Sequence, residues 1–136
     1  MSTPPAKVVL FVCVENAGRS LMAEAIFNAR APPGWRAESA GTRPADAPHP
    51  RTGGMLADIG LRVPSHPPRL LTSAMVESAR LRVTMGCLDE PNCPALLFSR
   101  VDADWGLPDP AKLDDDGFRA VRDEIGRRVD RLIDAL

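Results

Sequence analysis

Val8-Val9-Leu10-Phe11-Val12-Cys13-Val14-Glu15-Asn16-Ala17-Gly18-Arg19-Ser20 runs from an apolar segment through a polar loop into a helical pattern, Leu21-Met22-Ala23-Glu24-Ala25-Ile26-Phe27. The spacing predicts a buried strand ending at Cys13, an arginine six residues on, and a helix beginning at Ser20. A loop of this kind can turn the N–H groups of Val14, Glu15, Asn16, Ala17, Gly18, Arg19 and Ser20 inward around an anion, with the helix N-terminus adding partial positive charge. The same field favours a thiolate at Cys13. Arg19 supplies a planar fork that grips two oxygens of a tetrahedral oxyanion. Ser20 also fits a helix cap, and the two roles are compatible.

Outward from this loop the elements alternate, which points to parallel strands joined by crossover helices. Lys7 to Val12 is the first strand and Ser20 to about Ala31 the first helix, broken by Pro32-Pro33-Gly34. A short strand is expected around Arg36 to Ser39, and a proline-rich loop over Ala45 to Pro50. A helix around Arg51 to Ile59 ends at Gly60. Another begins at Thr72 or Ser73, a strand covers Arg80 to Met85, and a fourth strand is expected at Phe98 to Val101. Asp114, Asp115 and Asp116 suit the start of a last helix, whose apolar face is Phe118, Val121, Ile125, Val129, Leu132 and Leu136. The expected fold class is α/β, a small open, mainly parallel four-stranded sheet with helices on both faces. Residues 1–136 read as a single domain, because the chain suffices for one hydrophobic core and is too short for two.

Cys87-Leu88-Asp89-Glu90-Pro91-Asn92-Cys93 is the second informative stretch. The spacing is longer than the C-x2-C pairs of zinc ribbons, and no second pair completes a four-ligand site. His49 and His66 have no ligand-like local spacing. A metal is thereby disfavoured, and the polar, turn-like Glu90-Pro91-Asn92 suits an exposed loop whose cysteines are either incidental thiols or a redox pair. Asp109-Pro110 by itself reads equally as a turn.

The chain resembles a known superfamily, the low-molecular-weight protein tyrosine phosphatases and the thioredoxin-coupled arsenate reductases built on the same fold. Both carry C-x5-R-S after the first strand, as Cys13 to Ser20 does here. Glu38-Ser39-Ala40-Gly41-Thr42 and Asp58-Ile59-Gly60-Leu61 with Ser65-His66 continue the likeness. Val83-Thr84-Met85-Gly86-Cys87, Cys93-Pro94, Asp104-Trp105-Gly106, Asp109-Pro110 and Val121-Arg122-Asp123-Glu124-Ile125 follow in family order, so the similarity runs from Lys7 onward.

That resemblance implies arsenate as substrate, with phosphate or sulfate as competing oxyanions. Cys13 is the implied nucleophile, Arg19 the oxyanion ligand, Ser20 a hydrogen-bond partner of the thiolate and Asp109 the general acid. It further implies that Cys87 and Cys93 resolve the arsenic adduct through successive disulfides, reduced in turn by thioredoxin. Asn16 and Ser39 resemble residues that hold the loop's shape, asparagine tolerating left-handed backbone. Some arsenate reductases of this type bind potassium near positions matching Asn16, Glu24 and Ser39. A further acidic ligand falls at Arg69, whose cation takes the ion's place in this reading, so no metal is expected. No flavin, haem or nicotinamide cofactor is implied. The alternative is a low-molecular-weight protein tyrosine phosphatase using the same Cys13, Arg19 and Asp109 with water as second nucleophile. Against it stand the absence of tyrosine and the 4% aromatic content, which leave little to stack on a phosphotyrosine ring.

A formal net charge of -1 provides no whole-molecule attraction to nucleic acid or an anionic membrane, so anion affinity is local. No apolar run approaches the ~20 residues of a transmembrane helix, and Met1 to Ala6 does not read as a signal peptide. The expected compartment is cytoplasmic, where three cysteines are reactive thiols rather than a structural framework.

Overall fold

The computed structural model describes residues 5–88 and 93–136. Four strands, β1 (Lys7–Cys13), β2 (Trp35–Gly41), β3 (Leu81–Thr84) and β4 (Ala103–Asp104), form one sheet in the order β2-β1-β3-β4. All three pairings are parallel, with Cys13 opposite Gly41 and Val12 opposite both Ala40 and Thr84. Helices α1 (Arg19–Arg30), α2 (Thr52–Ala57), α3 (Ser73–Ser78), α4 (Ala95–Arg100) and α5 (Asp115–Asp134) complete the α/β fold, with a 3-10 turn at Pro110–Lys112.

β1 is buried on both faces, as parallel central strands are. Its alternating side chains divide the core in two. Val9, Phe11 and Cys13 join Met22, Ile26, Phe27, Phe118, Val121, Ile125 and Val129 from α1 and α5. Leu10 and Val12 join Leu71, Val76, Cys87 and Leu97 on the other face. Chain order reverses between β1 and β3, and ligands of open parallel sheets bind at such a reversal, beyond the strands' carboxyl ends. Cys13 ends β1, and Met85-Gly86-Cys87 follows β3. The fold thus brings the first two cysteines to one edge.

Two expectations need correction. Phe98 to Val101 is not the fourth strand: Ala95–Arg100 is helical, with Leu97 buried and Phe98 turned out to solvent at 56% exposure. Short apolar runs fit either structure, and Pro94 ahead of the run suits a helix start. The fourth strand is the two-residue segment Ala103–Asp104, too short for any periodicity. Leu136 lies beyond α5 and is 41% exposed, so the apolar stripe ends at the partly buried Leu132. Asp114 caps α5, accepting from Gly117 N–H at 2.8 Å. No helix among the described residues is long and apolar enough to cross a membrane.

Candidate active site

The segment after β2 sets the shape of the loop after β1. Carbonyls of Cys13, Val14, Glu15 and Ala17 accept from the N–H groups of Thr42, Arg43, Ala45 and His49 at 3.2, 2.8, 2.9 and 3.0 Å. In a trans peptide C=O and N–H point in opposite directions. The N–H groups of Val14, Glu15, Asn16 and Gly18 therefore turn away from that segment. Close packing here demands glycine at 41, where a Cβ would stand 2.5 Å from the Val14 oxygen.

Asn16 has φ +51°, the left-handed conformation expected of it, and is fully buried. Its Nδ2 donates to Ser20 Oγ at 2.7 Å and to Ser39 Oγ at 2.9 Å, while its Oδ1 accepts from Arg69 N–H at 3.1 Å. Ser20 Oγ lies 2.9 Å from Cys13 Sγ. Because that oxygen accepts from Asn16, its own proton is free to point at the sulfur. Ser20 is not the helix cap, since α1 starts at Arg19 after Gly18. It is buried one residue inside, committed to Cys13 and Asn16.

Arg19 is 8% exposed, and its Nη1 donates to the Leu107 carbonyl at 2.9 Å. Gly86, at φ +83°, lies against it, with a Cβ there falling 2.7 Å from Nη1. Both contacts escaped sequence reasoning, for neither a carbonyl nor an isolated glycine announces a partner so far along the chain. A cavity of about 310 Å³ opens over Cys13 and Arg19 and is also lined by Asp109, His49, Lys112 and Phe118. Asp109 is half-buried and caps the 3-10 turn, its Oδ1 accepting from Ala111 N–H at 3.0 Å. The aromatic ring in this wall is already covered: the Arg51 guanidinium sits 4.8 Å from the Phe118 centroid and the His49 ring 5.7 Å from it.

Cys87 is fully buried in the second core cluster, its Sγ 3.8 Å from the Val12 carbonyl. Burial, then the neighbouring Cys93 and Cys13 charges, push its thiol up from 9.0 to about 12. Cys93 is half-buried, raised by burial and eased by a hydrogen bond with Cys87. The three sulfurs are free thiols. Asp89 to Asn92 lies outside the described residues.

Glu24 is buried at 6% exposure, not a surface helix residue. It accepts from Ser39 Oγ at 2.6 Å, and His66 Nε2 lies 2.8 and 3.1 Å from its two oxygens. The residues matching a potassium site are therefore already partnered: His66 occupies the carboxylate, and the Arg69 N–H occupies the asparagine oxygen. They do not fit a cation. The partner expected from Arg69 is His66 instead, while Arg69 Nε donates to the Ser39 carbonyl at 2.9 Å. Among the described residues no three His, Cys, Asp or Glu side chains gather as a metal cluster.

Known proteins resemble this chain in sequence and fold. Arsenate reductase 1 of Staphylococcus haemolyticus is 30% identical over 130 residues, covering 96% of this chain and 97% of its own. The crystal structure of an arsenate reductase from Archaeoglobus fulgidus superposes with a TM-score of 0.76 at 36% identity, over 92% of this chain and 98% of that one. The Corynebacterium glutamicum thioredoxin-dependent arsenate reductase superposes at 0.79 with 30% identity. It covers 98% of this chain, which spans only 63% of that protein's length. The sequence pattern of the low molecular weight phosphotyrosine protein phosphatase family matches residues 8–136. With that match spanning nearly the whole chain, and the loop, arginine and cavity in place, the protein belongs to the low molecular weight phosphotyrosine protein phosphatase family.

Proposed function

We propose that this protein reduces arsenate to arsenite through Cys13, Cys87 and Cys93, with thioredoxin as the source of electrons. The observation that carries the reading is a second thiol, Cys87, buried at the same carboxyl edge of the sheet as Cys13, with Cys93 hydrogen-bonded to it. A phosphatase has no use for the second and third.

Arsenate enters the loop and is held by the inward N–H groups and Arg19, competing there with phosphate and sulfate. The Cys13 thiolate, hydrogen-bonded to Ser20, attacks arsenic, and Asp109 protonates the departing oxygen, which leaves as water or hydroxide. Cys87 then attacks the Cys13 sulfur. The S–As bond breaks with its electron pair on arsenic, which leaves as arsenite, and a Cys13–Cys87 disulfide remains. Cys93 attacks Cys87, frees Cys13 and leaves a Cys87–Cys93 disulfide for an external dithiol.

The raised pKa of Cys87 has a place in this sequence. Held in the second core cluster, it is stored as an unreactive thiol. Cys13 belongs to the cluster on the opposite face of the sheet, so Cys87 must leave its core to reach it. That exit removes the largest cause of the elevation, burial, when the thiolate is wanted.

The same Cys13, Arg19 and Asp109 serve a phosphatase, and slow hydrolysis of small aryl phosphates belongs to this reading as a side reaction. Among the described residues lining the cavity Phe118 is the only Phe, Tyr or Trp, and Arg51 and His49 already pack on its ring, which leaves little to stack on a phosphotyrosine. The deciding experiment couples the protein to thioredoxin and thioredoxin reductase and follows NADPH oxidation on adding arsenate. Arsenate-dependent oxidation is expected; its absence alongside vigorous aryl phosphate hydrolysis would return the protein to the phosphatases.

A further inference from the structure

His49 to Thr52 touches both halves of the site. The His49 N–H donates to the Ala17 carbonyl at 3.0 Å, and Thr52 Oγ1 donates to the same oxygen at 2.7 Å. These contacts hold the nucleophile loop from outside. The Arg51 side chain reaches the other way. Its Nη2 donates to the carbonyls of Pro110, Ala111 and Leu113 at 3.3, 3.4 and 2.9 Å, and its Nη1 to Asp115 Oδ1 at 3.1 Å. The guanidinium also rests on Phe118. One planar cation thereby gathers the whole 3-10 turn and the first residue of α5.

Asp109 caps that turn through the Ala111 N–H, so whatever fixes the turn fixes the carboxylate. Without Arg51, the carbonyls of Pro110, Ala111 and Leu113 would lose a shared donor. The exposed Asp115 contact alone is worth little, since its carboxylate is 64% exposed. The carbonyl contacts are what a guanidinium uniquely provides: a lysine ammonium cannot span them with one planar fork.

We propose that Arg51 is the positioning residue of the general acid, setting the distance between the Asp109 carboxylate and the oxyanion held above Cys13. This rests on the reading of Asp109 as the acid. Arg51 touches no substrate and acts through the turn. Misplacing a reacting group by about 1 Å costs on the order of 100-fold in rate, which bounds the effect.

The test measures kcat for arsenate and the inhibition constant for sulfate in the parent, Arg51→Met, Arg51→Lys, Asp109→Asn and the Arg51→Met/Asp109→Asn pair. The same set is run on phenyl phosphate, whose poor leaving group also needs the acid, so the outcome does not depend on arsenate being the substrate. Asp109→Asn should lose about 100-fold or more. Arg51→Met should lose roughly 10- to 100-fold in kcat with the sulfate constant unchanged, because the Ala17 contacts come from His49 and Thr52. Arg51→Lys, which keeps a cation on Phe118 and covers the case of a poorly folded Met variant, should recover little of the rate. The double variant should be no slower than Asp109→Asn alone. Losses that multiply in the double variant, a parental kcat in both Arg51 variants beside a crippled Asp109→Asn, or sulfate binding weakened in step with kcat would overturn the proposal. A parental rate in Asp109→Asn would instead bring down the acid assignment, and the role of Arg51 with it.

Discussion

Replacing Gly86 by alanine probes how Arg19, the proposed oxyanion ligand, is held. At φ +83° a non-glycine residue pays about 1–2 kcal/mol in backbone strain. That strain is the same with and without bound anion, so it lowers thermal stability, by roughly 3–8 °C for a domain of this size, and leaves affinity alone. The new Cβ has a second effect. Built on the present backbone it stands 2.7 Å from Arg19 Nη1, closer than such atoms approach, and the guanidinium must move. Arg19 is nearly enclosed and anchored on the Leu107 carbonyl at 2.9 Å, so it moves by giving up that bond and its aim at the cavity. Each hydrogen bond that the displaced guanidinium no longer makes to the anion, a bond present only in the bound state, is worth about 1.5–3 kcal/mol. At 1.4 kcal/mol per factor of ten this is roughly 10- to 150-fold in oxyanion affinity. The assay is protection of Cys13 from iodoacetate by increasing sulfate, with melting followed in parallel. A folded variant that melts early but is protected at the parental sulfate concentration would show that the glycine serves the turn and not the arginine.

Cys13→Ser should abolish both arsenate reduction and aryl phosphate hydrolysis, because serine stays protonated where a thiolate is required; steady-state turnover of either substrate decides it. Cys87→Ser and Cys93→Ser should each end multiple-turnover arsenate reduction and spare small-substrate hydrolysis, the second variant allowing one turnover and trapping Cys13 with Cys87, visible by mass spectrometry of the non-reduced protein. Asn16→Ala should leave Ser20, Ser39 and the Arg69 N–H each short of a partner, at about 1–3 kcal/mol per stranded group, and slow alkylation of Cys13 at neutral pH. Cys87 makes stability pH-dependent: the folded state holds its proton to about pH 12, above the ordinary 9.0, so its contribution is complete below pH 9 and is lost as pH rises toward 12. Urea midpoints compared with Cys87→Val should show the parent falling faster across that range, and parallel curves would remove the elevation.

The loop at Cys13 was legible because its information is contiguous: strand, loop and helix start lie within one short stretch, and each local preference agrees with the others. The left-handed Asn16 and the bond from Ser20 to Cys13 followed from the same stretch and the family likeness. Contacts between distant segments were not legible. The Leu107 carbonyl meets Arg19 across 88 residues and Arg51 meets the Pro110 carbonyl across 59, and no periodicity encodes such meetings. Burial of Glu24 was hidden because a glutamate in a helix is ordinarily a solvated one, and its partners come from far along the chain: Ser39 on β2 and His66, arriving from a loop 42 residues later. β4 was missed for a different reason: its two residues are held by pairing with Val83 and Thr84, not by a preference of their own.

Four carbonyls of the loop, those of Cys13, Val14, Glu15 and Ala17, are spoken for within the fold itself, and this has a consequence for choice among ligands. A cradle fixed in advance by Thr42, Arg43, Ala45 and His49 does not adjust to its contents, so it reports only tetrahedral shape and negative charge. Arsenate and phosphate are alike in both. On the proposed chemistry the site therefore spends much of its time holding the commoner anion, and discrimination is kinetic: an arsenic adduct can be discharged by a neighbouring thiol, whereas a phosphorus adduct waits for water.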